Sequence, residues 1–226
     1  MGDFVAQTVV DAQKEHWEDT FANKPDMFGA ASDPARYAAG IFKKENRKRV
    51  LELGAGQGRD TIFLAQNGFE IYALDYSESG LKEIMRKVQA LGLRQSIKVI
   101  RHDVRNPLPF DDENFDACYS HMLYCMALTT TELEFLSDEI RRVLKPGALN
   151  IYTVRHTNDP DYGTGIHRGE DMYEVGGFIV HFFSREKVEH LAKGYEIVSL
   201  DELEEGRLPR KLFRVTLRKR SMFVRQ

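Results

Sequence analysis

Cysteine is scarce in this chain: Cys118 and Cys125 are the two among 226 residues. Two thiols make no disulfide framework and lack the spacing of a zinc site, so a reducing, cytoplasmic setting is expected. No apolar run approaches the ~20 residues that a membrane-spanning helix needs. A secretory signal would carry positive charge where Asp3 stands, and a myristoylation motif opening at Met1-Gly2 would need Ser or Thr where Ala6 stands. Excess charge is missing too. The formal charge is −3, which gives no overall reason to expect nucleic acid or a membrane surface as partner. What is left is an ordinary globular composition, 42% hydrophobic and 30% charged, long enough for one α/β domain over residues 1–226. A small-molecule partner, and a monomer or homodimer, are the expectation.

What is present is a glycine-rich turn. Val50-Leu51-Glu52-Leu53 reads as a strand, Gly54-Ala55-Gly56-Gln57-Gly58-Arg59-Asp60 as a tight turn, and Thr61 to Ala65 as a helix. Glycine has no Cβ, so it tolerates positive φ and lets a ligand lie against the backbone. The helix start then presents unpaired N–H groups. A dinucleotide fingerprint would place its third glycine where Arg59 stands. With Gly58 in the middle instead, the turn is the wrong shape for a pyrophosphate.

Downstream, Phe69 to Asp75 reads as a second strand ending in a carboxylate. Asp75 lies about twenty residues past Gly54, the distance at which a βαβ unit brings an acid to ribose hydroxyls. Ser77 caps a helix with Leu81, Ile84, Met85, Val88 and Leu91 on its inner face, stopping at Gly92. Ile97 to Val104 reads as a third strand and Phe115 to Ser120 as a fourth. Thr129-x-x-Glu132 is a capping box for a helix with Leu133, Leu136, Ile140, Val143 and Leu144 inward, and Lys145-Pro146-Gly147 ends it before a strand at 149–154. Ser184 caps another helix through Leu191. Tyr195 to Val198 reads as a sixth strand, and Phe213, Val215 and Leu217 alternate with Arg214, Thr216 and Arg218 in a seventh. Upstream, residues 4–22 place Val5, Val9, Trp17 and Phe21 at helical spacing; 23–32 is loop, and Asp33-Pro34 reads as the cap and first-turn proline of a second helix. Residues 155–183 form a connection of a length that is usually functional or disordered, with a short strand near Phe178 to Val180.

The run Glu52-Leu53-Gly54-Ala55-Gly56-Gln57-Gly58, the acids Asp75 and Asp103, the sequence from Asp103-Val104 through Leu108-Pro109-Phe110 to Phe115-Asp116, and the turn Leu144-Lys145-Pro146-Gly147 together resemble the class I S-adenosylmethionine-dependent methyltransferases. The resemblance implies an α/β, Rossmann-like sheet of seven mostly parallel strands, with helices on both faces and an antiparallel last strand. It implies cofactor binding by Glu52, Gly54, Ala55, Gly56, Gly58, Asp75, Tyr76, Ser77, Asp103, Val104 and Ser120. Glu52 suits an ammonium and a sulfonium, Asp75 the ribose hydroxyls, and Asp103 the adenine amine. Residues 1–45 are expected to cap the methionine end of the cofactor, with Phe28 and Trp17 lining the site, and 155–183 to hang over the pocket as a lid.

After the fourth strand, His121 and Tyr124 are best placed for acid–base work. Phe28, Arg155 and His156 are the substrate-side candidates, and Arg155 and Arg168 suit an anionic acceptor. His156, His167 and His181 lack ligand spacing, so no metal is expected. A looser similarity is to small-molecule methyltransferases of the tellurite-resistance and thiopurine type. The implied reaction is an in-line displacement that converts S-adenosyl-L-methionine to S-adenosyl-L-homocysteine. Two other readings stay open: a non-catalytic S-adenosylmethionine-binding module, and an NAD-dependent oxidoreductase. From Arg207 onward eight basic residues and no acid occur, which reads as a charged sheet surface facing Asp201 to Glu205.

Overall fold

A computed structural model describes residues 7–206 and 210–221, with side chains from residue 11 onward. Val5, the Val9 side chain, Arg207 and Arg225 lie outside that range. The elements in order are α1 (Gln7–Asn23), α2 (Asp33–Lys44), β1 (Arg49–Leu53), α3 (Arg59–Gln66), β2 (Glu70–Asp75), α4 (Glu78–Ala90), β3 (Ile97–Arg101), β4 (Phe115–His121), α5 (Thr130–Val143) and β5 (Leu144–Arg155). They continue with β6 (Ile166–His167), β7 (Met172–Val175), β8 (Phe178–His181), α6 (Arg185–Leu191), β9 (Tyr195–Glu205) and β10 (Arg210–Lys219).

Seven strands form one sheet in the order β3-β2-β1-β4-β5-β10-β9. The first five pair in parallel, because α3, α4, α5 and, between β3 and β4, the loop 102–114 carry the chain back across a face each time. β10 returns from β9 directly and is antiparallel to both β9 and β5. The central strands are buried on both faces, as a sheet covered on two sides requires. Val50, Ile71, Ala117 and Ile151 pack into one cluster, and Leu51, Tyr72, Cys118 and Tyr152 into the other. Order reverses between β1 and β4, and open α/β sheets bind their ligands at the carboxyl edge of such a switch point.

Local chemistry explains most boundaries. Thr129 and Glu132 form the expected capping box on α5, whose Leu133, Leu136, Ile140 and Val143 are buried. Four expectations need correction. Ser32, not Asp33, caps α2: its hydroxyl accepts from Ala35 N at 3.1 Å, whereas the Asp33 side chain is 97% exposed. On α4, Met85 and Leu91 are exposed, since a helix lying on a sheet buries only a narrow stripe, here Leu81, Ile84 and Val88. The third strand stops at Arg101, because the Asp103 carboxylate accepts from Arg105 N at 3.1 Å and turns the chain out of the sheet. Finally, 155–183 is no bare loop. Its β6, β7 and β8 make a separate antiparallel sheet, and β8 meets α1 where Trp17 packs 4.7 Å from Phe178, ring to ring. The basic C-terminal strand behaves as a charged surface, with Arg214 3.0 Å from Asp201 and Arg218 2.7 Å from Glu45.

Candidate active site

At the carboxyl edge the chain opens a crevice. Gly54, Asp75, Tyr76, Asp103 and Val104 line it, joined by Leu123 from the segment after β4 and roofed by Gln13, Lys14 and Trp17 of α1. The sequence therefore placed five of its cofactor candidates on one cavity. The roof differs from expectation: α1 crosses the Asp75–Asp103 wall, which the family resemblance assigns to ribose and adenine.

Gly54, Gly56 and Gly58 all hold positive φ, at 70°, 52° and 79°. A Cβ on Gly58 would come within 2.7 Å of Ile84 Cγ1, so this glycine lets α4 close on the turn. Gly56 N donates to Asp75 Oδ2 at 2.8 Å and Ser77 N to Oδ1 at 2.9 Å. Two N–H groups leave the carboxylate acceptor capacity for a diol. Burial raises the pKa of Asp75 although these N–H groups pull the other way. Ala55 is buried in the turn, and Ser77 caps α4 while donating to Glu18 at 2.6 Å. Gln57, which the sequence gave no reason to single out, is buried. Its amide donates to Lys24 O at 2.7 Å and accepts from Met27 N at 3.0 Å, which staples the segment after α1 onto the glycine turn.

Glu52 stands two residues before Gly54, fully buried, and its Oε2 has no hydrogen-bond partner among the described residues. Burial pushes its carboxyl up to about 8, opposed by Thr61 and Arg59 and reinforced by Asp60 and Asp75. A buried acid in that condition is unfavourable by itself and is relieved by a cation. The Ser120 hydroxyl is likewise buried and unpartnered. Asp103 is the opposite case: burial would raise its carboxyl, but Arg105 and Lys14 hold it at about 2. These acids fit the ammonium, ribose and adenine amine of S-adenosylmethionine, with the adenine amine having to take the place of Lys14.

On the acceptor side, His121 ends β4 with Nδ1 2.9 Å from Thr153 Oγ1 and Nε2 3.3 Å from Glu205 Oε2. Asp60, also missed, is buried and accepts from Ser32 N at 2.9 Å, Ser32 Oγ at 2.7 Å and Tyr119 OH at 2.9 Å, with Arg59 at 3.1 Å. Other candidates are placed elsewhere. Tyr124 is 1% exposed, stacked 4.2 Å from Tyr152 and hydrogen-bonded to Asn150; it is a core residue, and burial pushes its hydroxyl far above the usual range. Arg155 is buried, spent on Asp159 and Asp161, and His156 is buried against Phe213 at 4.5 Å, so neither meets an acceptor. Arg168 pairs with Glu174. Phe28 is 40% exposed outside the crevice, with the Arg59 guanidinium over its ring.

A parallel sheet closed by a reversed hairpin, with a glycine turn between acids at its switch point, is the class I methyltransferase fold. Residues 50–147 match the family described as a methyltransferase domain. It is 32% identical over 126 residues to a demethylmenaquinone methyltransferase of Clavibacter sepedonicus, covering 56% of this chain and 47% of that protein. The chain spans less than half the length of the first curated relatives it matches. Among solved structures it is similar to the Burkholderia thailandensis 1,6-didemethyltoxoflavin-N1-methyltransferase, with a TM-score of 0.76 at 16% identity over 95% of this chain and 90% of that one. It is also similar to TehB from Haemophilus influenzae, with a TM-score of 0.68 at 18% identity over 90% and 67%. At these identities the likeness establishes the fold.

Proposed function

We propose that this protein is an S-adenosylmethionine-dependent methyltransferase that methylates a small-molecule acceptor by in-line displacement. The observation that carries this reading is the buried Glu52 carboxyl, unpartnered at Oε2, two residues before a glycine turn that opens on a crevice walled by Asp75 and Asp103. The bound cofactor supplies an already activated methyl group on a sulfonium. The chain supplies alignment and exclusion of water: Asp75 and Asp103 fix the nucleoside, Glu52 the amino group, and the α1 roof shields the crevice. A small acceptor is supported by that roof, in which Gln13, Lys14 and Trp17 of α1 lie over the crevice. It is supported too by the Burkholderia structure, which contains 1,6-didemethyltoxoflavin and S-adenosylhomocysteine.

Calorimetric titration with S-adenosylhomocysteine, followed by a screen of amines, hydroxyls, thiols and carboxylates with methyl-labelled cofactor, tests the proposal. Binding plus label transfer is expected. NADH binding without S-adenosylhomocysteine binding would restore the oxidoreductase, and tight cofactor binding with persistent silence would favour a non-catalytic module.

A further inference from the structure

His121 looks like a general base, yet its hydrogen bonds say otherwise. Thr153 Oγ1 already accepts from Met122 N at 3.0 Å, so its proton is free to be donated to His121 Nδ1, 2.9 Å away. On the other side of the ring, an ionised carboxylate accepts only, so Glu205 Oε2 at 3.3 Å requires the ring proton to be on Nε2. Glu205 is ionised at neutral pH: burial raises its pKa, but the hydrogen bond and charge of His121, with Arg59 and Arg210 nearby, leave it below the ordinary value. The geometry is built rather than incidental. Met122 holds φ at 65°, uncommon for a non-glycine residue, and its N–H donates to both Thr153 O and Thr153 Oγ1. Thr153 and His121 are register partners on adjacent parallel strands. Glu205 ends β9 across the β10 hairpin, far from both in sequence.

We propose that Glu205 and Thr153 are positioning residues that fix His121 as its Nε2–H tautomer, with Nε2–H donating to Glu205 and Nδ1 accepting from Thr153, so that neither ring nitrogen is left to act as a base at the acceptor edge. The charged groups that act on the ring are Glu205 and Asp60, and Arg59 and Arg210 act in turn on Glu205. The placement at an acceptor edge rests on the methyltransferase reading; the tautomer and the pairing do not.

The test is ¹⁵N-edited NMR of the histidine rings in the full chain, free and with S-adenosylhomocysteine, with His121 assigned by its loss in His121→Asn. Expected are the Nε2–H pattern in the unaltered protein and, in Glu205→Gln, loss of that single-tautomer pattern, because a side-chain amide can donate to the ring as well as accept from it. Glu205→Asp, which still only accepts, should keep the Nε2–H pattern, and Glu204→Gln should leave it in place. An Nδ1–H pattern in the unaltered protein, an unchanged pattern in Glu205→Gln, or an equal change in Glu204→Gln overturns the proposal. If the ring behaves as expected but S-adenosylhomocysteine does not bind, the pairing stands and the methyltransferase reading falls.

Discussion

A carboxyl group that is fully buried, unpartnered at Oε2 and titrates at about 8 exerts two measurable effects. Its folded pKa lies above the ordinary 4.5, so between those values the folded chain keeps a proton that the unfolded chain has lost. An ammonium placed beside Glu52 favours the ionised form and expels that proton. S-adenosylhomocysteine binding at pH 7 should therefore release up to about one proton, read from calorimetry in buffers of different ionisation enthalpy. Glu52→Gln should abolish the release; the same release in the variant would assign it to another group. Asp75→Ala should weaken S-adenosylhomocysteine binding by roughly 1.5–3 kcal/mol, the scale of hydrogen bonds to a charged group, and should also lower the urea midpoint, since Gly56 N and Ser77 N lose their acceptor. Unchanged affinity would remove Asp75 from the site. These acids were legible in the sequence because their distance from the glycines is fixed by one βαβ unit. Asp60 and Glu205 were not, because their partners are remote: Ser32 and Tyr119 for one, His121 for the other. Tyr124, Arg155 and His156 misled for a related reason. A polar residue after a strand declares its chemistry but not whether it turns to the crevice or the core.

The roof helix α1 ties the two sides of the crevice together. Gln13 accepts from Ile179 N at 3.0 Å and donates to Gly177 O at 3.0 Å, on the small sheet. Glu18 accepts from Ser77 Oγ and Ser79 N at the start of α4, and Lys14 bonds Asp103. Trp17, the single tryptophan, faces the crevice between these anchors, so its fluorescence should change on adding S-adenosylhomocysteine. Lys14 holds the Asp103 carboxylate that is proposed to take the adenine amine. Lys14→Met should thus tighten S-adenosylhomocysteine binding severalfold, and should make its affinity less sensitive to salt, as loss of an exposed ion pair implies. Weaker binding in the variant would instead make Lys14 part of the site. Helical periodicity made α1 legible as an amphipathic helix, but periodicity carries no information on what a helix lies across. The same limit explains β6 and β7. Each is at most four residues long, too short for alternation to rise above the surrounding turns, whereas the longer parallel strands and capped helices stood out clearly.

At the scale of the whole molecule, β10 locks the sheet by entering between β5 and β9, and the Glu45–Arg218 pair fastens it to the end of α2. Arg218, opposed by burial and assisted by Arg47, holds Glu45 at about 2. Acids with depressed values stabilise the fold above their unfolded pKa and lose that contribution as pH falls through the folded one. Glu45 and Asp103 should therefore weaken the fold below about pH 4. His181 acts over the next interval: burial and the adjacent Lys187 lower it from 6.5 to about 4, so stability gained from keeping it neutral rises with pH across that window. Glu52 works in the opposite direction from 4.5 to about 8. The two offset each other up to about pH 6.5, and above it the Glu52 contribution remains. Urea midpoints of the free protein should hold level between about pH 4.5 and 6.5 and decline toward pH 8. Saturating S-adenosylhomocysteine should flatten that alkaline decline, because it supplies the cation that the buried carboxylate lacks. A free-protein midpoint that climbs from pH 6.5 to 8, or an alkaline slope unaltered by the ligand, would show that Glu52 is compensated from within the fold and does not face the cofactor.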